Sequence, residues 1–356
     1  MTGNNGKLWN AKRVKNDEFY TQLPDIEKEL RSYVDYDPNV FRGKTILLPC
    51  DDPEWSNFTR FFVTHFDELG VHKLVSTCYD PHDDERQPSI FDVMDADRTP
   101  PPQGKIFTMD RGNATTIDPD NLPWRYLPCD GDFRSEEITA LRDEADMVIT
   151  NPPFSLFREF VAWLAAGSMT FAVIGSTNVI TYKEIFPLIQ HNKLWLGATG
   201  NTNDMVFRVP SGSEVKESDK QKAERLGYPS DDEHTYTRLG NSCWFTNIEH
   251  GKRHEPIPLQ TMQENLETNT WIKNNPHSYK KYDNYDAIEV PATSGIPSDY
   301  DGVIGVPISF LNKYSPEQFE IVKFRHGDDG KDLCYTTTTG ETKTPYFRIL
   351  VRRRVV

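Results

Sequence analysis

Apolar residues in this chain fall in short, bounded runs separated by stretches at helical spacing. Thr45 to Cys50, Leu74 to Cys78 and Met147 to Ile149 are continuous enough to be strands buried on both faces. Ile26, Leu30 and Val34 share one face of a helix over residues 24–36, with Pro24 near its start. A second helix runs from about Ser56 to Leu69, where Gly70 ends it. This β-α-β rhythm predicts an α/β fold on a parallel sheet. Lys105–Met109, Trp124–Leu127, Met169–Ile174 and Lys193–Leu196 are further strand candidates, and Glu136–Glu144 and Tyr182–Ile189 further helices. After about Gly197 the rhythm changes. Residues 211–234 are charged and lack periodicity, and strand-like pieces follow at Cys243–Ile248, Val303–Phe310, Phe319–Phe324 and Phe347–Val351. The pattern divides the chain into a flexible basic arm (1–16), an α/β core (17–200) and a mixed, loop-rich region (201–356), part of which can return to complete the core sheet.

One strand stops abruptly. In Asp146-Met-Val-Ile-Thr-Asn-Pro-Pro-Phe-Ser-Leu-Phe-Arg158 the apolar run meets Asn151, and Pro152 and Pro153 then forbid both helix and further ladder pairing. Ser155 is placed to cap the amphipathic segment Leu156–Leu164. Asn151 thus falls at the carboxyl end of a strand, where open α/β sheets bind ligands. A stiff turn there presents one amide, one proline carbonyl and the ring of Phe154. Two carbonyl oxygens suit the two hydrogens of an exocyclic amino group, and the ring suits a flat heterocycle. The pattern is similar to the catalytic (Asp/Asn)-Pro-Pro-(Tyr/Phe) motif of amino-group methyltransferases that use S-adenosylmethionine. An Asn-initiated turn between strand and helix is the plainer alternative.

Other strand ends supply candidate cofactor ligands. Asp51, Asp52, Pro53 and Ser56 follow the first strand in a turn without glycine, where a carboxylate and a helix N-terminus can face the methionine part of a cofactor. A capped helix start explains the same residues. Asp80 follows the next strand and can accept ribose hydroxyls, and Asp130 or Asp132 can accept an adenine amino group. Phe19, Tyr20 and Thr21 put two aromatics and a hydroxyl together; closure over a cofactor and core packing are both open.

Composition narrows the classes. With 37% hydrophobic and 12% aromatic residues, the 356-residue chain can bury a substantial core. No apolar run approaches membrane-spanning length, and the N-terminus has no apolar signal core, so a cytoplasmic protein without a membrane partner is expected. Cys50, Cys78, Cys129, Cys243 and Cys334 lack metal-ligand spacing and read as reduced thiols, with no metal expected. A formal charge of −14 weighs against broad nucleic-acid affinity. The charge is uneven, however: Asp80 to Arg98 is acidic, whereas Lys7, Lys12, Arg13, Lys15 and the tail with Arg352, Arg353 and Arg354 are basic. Those three arginines are the candidate phosphate contacts.

Taken in order, several segments resemble one family, the EcoRI-type adenine-specific DNA methyltransferases. They are Lys15-Asn-Asp-Glu-Phe-Tyr-Thr-Gln22, Cys50-Asp-Asp-Pro-Glu-Trp-Ser-Asn-Phe58, Asp130-Gly-Asp-Phe-Arg-Ser135, Thr150-Asn-Pro-Pro-Phe-Ser-Leu-Phe-Arg158, Ile180-Thr-Tyr-Lys-Glu-Ile-Phe-Pro187, Cys243-Trp-Phe-Thr-Asn247 and Gly305-Val-Pro-Ile-Ser-Phe-Leu-Asn-Lys-Tyr314. The resemblance implies a Rossmann-like methyltransferase core and a C-terminal target-recognition region. It implies transfer of a methyl group from S-adenosylmethionine to N6 of adenine in a specific sequence of double-stranded DNA, with base flipping. Phe19, Tyr20 and Thr21 then match the N-terminal cofactor motif, Asp52 and its neighbours the first cofactor loop, and Asn151 to Phe154, Asn151 also facing the cofactor, the catalytic motif. A cognate restriction endonuclease is an implied partner, and a monomer is expected. The acidic insertion after Asp80, the overall acidity and the 211–234 segment depart from the pattern. The motif chemistry also serves cytosine N4, RNA or a protein glutamine, and a DNA-binding relative without catalysis is the other alternative.

Overall fold

A computed structural model describes residues 20–79, 103–114, 117–118, 121–200, 204–209, 213, 215–337 and 339–354. The basic arm, Phe19, Asp80 and the acidic stretch as far as Arg98 lie outside the described residues. The chain forms two compact units: residues 1–179 with 201–248, and residues 180–200 with 249–356. The chain therefore passes between the units three times, after residues 179, 200 and 248.

The first unit opens with the short strand β1 (Tyr20–Thr21) and helix α1 (Leu23–Tyr36). Pro24 occupies the first turn of α1, and Ile26, Leu30 and Tyr33 bury its inner face. Strand β2 (Thr45–Leu48), helix α2 (Asn57–Thr64) and strand β3 (Lys73–Cys78) follow, then β4 (Lys105–Asp110) and β5 (Arg125–Tyr126). Helix α3 (Glu136–Glu144) starts where the Ser135 hydroxyl accepts the Ile138 amide at 3.2 Å, with Glu136 and Glu137 in its first turn. Strand β6 (Met147–Thr150), helix α4 (Phe157–Ala166) and strand β7 (Thr170–Ser176) complete the run. Asp146 caps the entry to β6 by accepting the Thr45 amide at 2.8 Å.

The sheet is mixed rather than wholly parallel. Strands β3, β2, β6 and β7 lie side by side in parallel, with Ile46 opposite both Leu74 and Met147. Strands β4 and β5 extend the β3 edge in antiparallel fashion. The later segment contributes β8 (Val206–Val209), α5 (Glu217–Arg225), β9 (Thr235–Arg238) and β10 (Ser242–Thr246). Strand β10 lies antiparallel to β7, with Trp244 opposite Ile174. Strands β1, β8 and β9 make a small separate sheet in which Tyr20 and Tyr236 both pair with Arg208. The unit's core joins Phe41, Phe58, Phe62, Phe66, Ile149 and Trp244.

Helix α5 corrects the reading of residues 211–234 as aperiodic. It buries only Ala223, so no apolar stripe announces it. Its charges suit the helix dipole instead: Glu217 and Asp219 in the first turn, Lys222 and Arg225 in the last.

In the second unit, the expected helix at 182–189 is the shorter Phe186–Gln190, and the strand at 193–196 is Trp195–Leu196. A four-stranded sheet is built from β11 (Ala287–Glu289), β12 (Val303–Pro307), β13 (Phe319–Phe324) and β14 (Arg348–Arg353), in the order β11-β12-β14-β13. At its heart the buried Glu289 binds the Arg348 guanidinium at 2.7 Å and accepts the Tyr282 hydroxyl. Among the described residues no helix is long and apolar enough to cross a membrane.

Candidate active site

The candidate site is built in the first unit from the residues just beyond the carboxyl ends of the parallel strands β2, β3 and β6. After β2 the chain turns without a glycine, and Asp52 shapes the turn. Its Oδ1 accepts the Glu54 amide at 2.8 Å, and its carbonyl accepts the amides of Trp55 and Ser56 at 3.2 and 2.8 Å. Ser56 then caps α2, its Oγ accepting the Phe58 and Thr59 amides. The second Asp52 oxygen pairs with Lys105 Nζ at 3.2 Å, which also meets Glu54 at 2.5 Å and lies 4.9 Å over the Trp124 ring. Burial pulls the Lys105 ammonium down, but its bonds to Glu54 and Asp52 outweigh burial and hold it above its usual range.

Asp51 is placed differently. It is 5% exposed, and both carboxylate oxygens are engaged inside the protein. Oδ1 accepts the Ser56 hydroxyl at 2.7 Å and Oδ2 accepts the Thr150 hydroxyl at 2.5 Å. Burial raises its pKa to about 7, although both hydroxyl bonds act to lower it. The neighbouring Cys50 thiol is likewise pushed up, first by burial and then by the Asp51 charge.

At the end of β3 the Cys78 carbonyl is pressed against Gly131. A Cβ at position 131 would fall 2.1 Å from that oxygen, and Gly131 has a φ of +79°. Only glycine fits between Asp130 and Asp132. This seats the two aspartates beside the strand end. Asp130 accepts the Asp132 amide at 3.0 Å. Asp132 takes two guanidinium bonds from Arg134 at 2.9 and 2.6 Å; burial opposes its ionisation, but Arg134 keeps its carboxyl below the usual range.

Beyond β6, Asn151 is half-buried with its Oδ1 buried, and Pro152 is buried. Ser155 does not cap the following helix. A 3-10 turn over Phe154–Leu156 intervenes, closed by the Leu156 amide on the Pro153 carbonyl at 3.0 Å, and α4 begins without a side-chain cap. Two consecutive prolines fix the backbone so that the first turn forms on a carbonyl rather than on a hydroxyl. Phe154 is partly buried, its ring edge-on to Phe207 with centroids 6.4 Å apart.

Strand β1 is tied to the first loop through Asn57, whose amide nitrogen donates to the Thr21 carbonyl at 2.8 Å. Arg208 lies 5.1 Å over the Tyr20 ring and 5.9 Å from that of Trp55, which is 56% exposed. A groove of about 480 Å³ opens here, lined among others by Tyr20, Pro53, Trp55, Trp124, Arg208 and Tyr236. It reaches two of the sequence-predicted residues, Tyr20 and Pro53, but not the Asn151 turn. Two hydroxyls, Thr21 Oγ1 and Thr77 Oγ1, are buried with no partner among the described residues.

Of the residues expected from sequence, Tyr20, Thr21, Asp51, Asp52, Pro53 and Ser56 are gathered around the first loop. Asn151 to Phe154 follow Thr150, which is bonded to that loop through Asp51. Asp130 and Asp132 border the end of the strand next to it. Thr150 and Lys105 were not anticipated. A hydroxyl residue closing an apolar run just before Asn151 was the available signal for Thr150; Lys105 gave none, since its partners are 51 and 53 positions away. In the second unit, Arg352 is exposed at the end of β14, Arg353 pairs with Asp301 at 2.6 Å, and Arg354 donates to the Phe319 carbonyl at 3.3 Å. No cluster of three or more His, Cys, Asp or Glu is arranged to hold a metal among the described residues.

The family model described as adenine-specific methyltransferase EcoRI matches residues 7–354. The Type II methyltransferase M.EcoRI of Escherichia coli is 39% identical over 98% of this chain and 97% of its own. The Type II methyltransferase M.MpnI of Mycoplasma pneumoniae is 33% identical over 88% of this chain and 83% of its own. M.MgeORF184P of Mycoplasma genitalium, also a Type II methyltransferase, is 34% identical over 88% and 84%. No solved structure shows significant similarity.

Proposed function

Because the chain belongs to the adenine-specific EcoRI methyltransferase family, we propose that it transfers a methyl group from S-adenosylmethionine to N6 of adenine in double-stranded DNA, at a specific sequence. The observation that carries this reading is the Asn151-Pro152-Pro153-Phe154 turn at the carboxyl end of β6, hydrogen-bonded through Thr150 and Asp51 to the first loop.

When bound, S-adenosylmethionine supplies a methyl group on a positively charged sulfonium. The residues present fit a Rossmann-like site for it. The partnerless buried hydroxyls of Thr21 and Thr77 lie in β1 and β3, the strands that border the first loop. Among the described residues Asp130 commits only Oδ1, to the Asp132 amide, which leaves Oδ2 for an adenine amino group. Tyr20 and Thr21, with Phe19 before them, would close over the cofactor, Pro53 and the start of α2 would face its methionine part, and Asp80 would take its ribose. Asp52 and Asp132 would act through their negative charge, because Lys105 and Arg134 already occupy them.

The target adenine is inaccessible inside the duplex and must be flipped out, at a cost of a few kcal/mol. The Asn151 side-chain oxygen and the Pro152 carbonyl would each accept one amino hydrogen. This turns the nitrogen lone pair toward the methyl group at about 3–3.5 Å, and needs neither a strong base nor a metal. Phe154 would stack on the flipped ring, and Pro153 would stiffen the turn. Target recognition falls to the C-terminal region, with Arg352 to Arg354 on phosphate. A cognate restriction endonuclease is the partner that the Type II relatives suggest.

Incubation of the purified protein with isotopically labelled S-adenosylmethionine and, separately, duplex DNA, RNA and a protein extract tests the reading. Label recovered as N6-methyladenine in DNA supports it. Label in cytosine N4, RNA or glutamine would replace it with another amino-group acceptor, and binding without transfer would indicate a relative without catalysis.

A further inference from the structure

We propose that Asp51 is a positioning residue for methyl transfer, a buried strut that holds the Asn151 turn in register with the first loop instead of contacting the cofactor. The inference rests on the methyl-transfer reading above. Asp51 follows β2, yet its side chain spans two other elements. One oxygen accepts the hydroxyl of Ser56, the cap of α2, at 2.7 Å; the other accepts that of Thr150, the residue before Asn151, at 2.5 Å. Ser56 and Thr150 are themselves buried, so neither bond is exchanged with water. The Asp51 backbone is fixed as firmly. Its amide donates to the Thr77 carbonyl at 2.9 Å, and its carbonyl accepts the Ser76 hydroxyl at 2.7 Å. Ser76 in turn meets the Thr59 hydroxyl in α2 at 2.7 Å.

One carboxylate thus joins the ends of β2 and β6 and the start of α2, and β3 holds its backbone. An acid meant for a cofactor would keep an oxygen facing the crevice; Asp51 keeps neither. The two elements it ties together carry the two halves of the reaction: the loop beside the methyl donor and the amide that orients the acceptor. When ionised, the carboxylate only accepts hydrogen bonds, so both hydroxyls then point inward and set the spacing between the elements. If Thr150 loses its anchor, Asn151 keeps its chemistry but not its aim, and misplacement by about 1 Å can cost about 10²-fold in rate.

The test uses the full chain with Thr150→Val, Thr150→Ser and Asp51→Asn. Single-turnover formation of N6-methyladenine is followed in genomic DNA from cells lacking the protein, and S-adenosylhomocysteine binding by calorimetry. Thr150→Val, nearly isosteric, is expected to slow transfer at least about ten-fold while cofactor-product affinity stays within about three-fold, which also reports an intact fold. Thr150→Ser keeps the donor and is expected to restore most of the rate. Asp51→Asn is expected to follow Thr150→Val, slowing transfer more than it weakens binding. Wild-type rates in Thr150→Val, no rescue by serine, or a loss of affinity in Asp51→Asn as large as its loss of rate would each overturn the proposal. Absence of N6-methyladenine with the wild-type protein would instead overturn the methyl-transfer reading itself.

Discussion

Asp51 places a carboxylate where water does not reach, and the protein carries a cost for it. Its rise from an ordinary 3.8 to about 7 corresponds to about 4 kcal/mol between the two protonation states. Because the folded value is the higher one, the folded protein binds the proton more tightly. The stability this contributes is full below the ordinary value and is lost as pH rises through about 7. The groups facing it are the hydroxyls of Ser56 and Thr150, the neighbouring Asp52 charge and the Cys50 thiol, itself pushed up. Asp51→Asn should therefore flatten the decline: urea unfolding at pH 5 and pH 8 should show wild type losing stability relative to the variant, by about 2–3 kcal/mol. Parallel stability profiles for the two proteins would contradict the buried-charge account. Asp130 stands in contrast, with one oxygen committed to the Asp132 amide. Asp130→Ala should weaken S-adenosylhomocysteine binding by about 1.5–3 kcal/mol, the worth of a charge-assisted bond, as calorimetry can measure. Both acids were legible in the sequence as candidates, but their difference was not. It depends on Thr150, 99 residues from Asp51 in the chain.

At the scale of elements, strands and helices with an apolar period were legible, and those held by charge or pairing were not. Helix α1 follows its expected span closely because Pro24 marks its start and apolar positions line one face, and α3 because Ser135 caps its start. Helix α5 escaped because only Ala223 is buried, and β8 and β9 because they are read through their partners. The start of α4 depends on a contact no local pattern shows. Phe157 packs on Gly175 of β7, where an added Cβ would meet the ring at 2.4 Å. Gly175→Ala should push Phe157 and the α4 start away from the sheet and destabilise the unit by about 1–3 kcal/mol, the usual cost of overpacking. A denaturation midpoint equal to wild type would show that the α4 start yields without cost.

Across the whole molecule, a chain of net charge −14 has to meet a polyanion, so attraction must be local. The three tail arginines were legible as a basic cluster; their engagement within the fold was not. Arg353 is held by Asp301, whereas Arg352 and Arg354 are both exposed, Arg354 donating one bond to a backbone carbonyl. Replacing all three by Ala should thus flatten the salt dependence of DNA binding by about two in slope rather than three, because each phosphate contact contributes close to one. An unchanged slope in binding titrations at increasing salt would assign the tail to structure alone. The central claim is that the Asn151 turn delivers a methyl group to adenine N6 in DNA. Its most direct test is single-molecule sequencing of genomic DNA from cells expressing the wild-type chain or Asn151→Ala. The account predicts N6-methyladenine at one recurring sequence with wild type and a rate at least about 10²-fold lower with the variant, which binds S-adenosylhomocysteine normally. Equal methylation by the two proteins would contradict it.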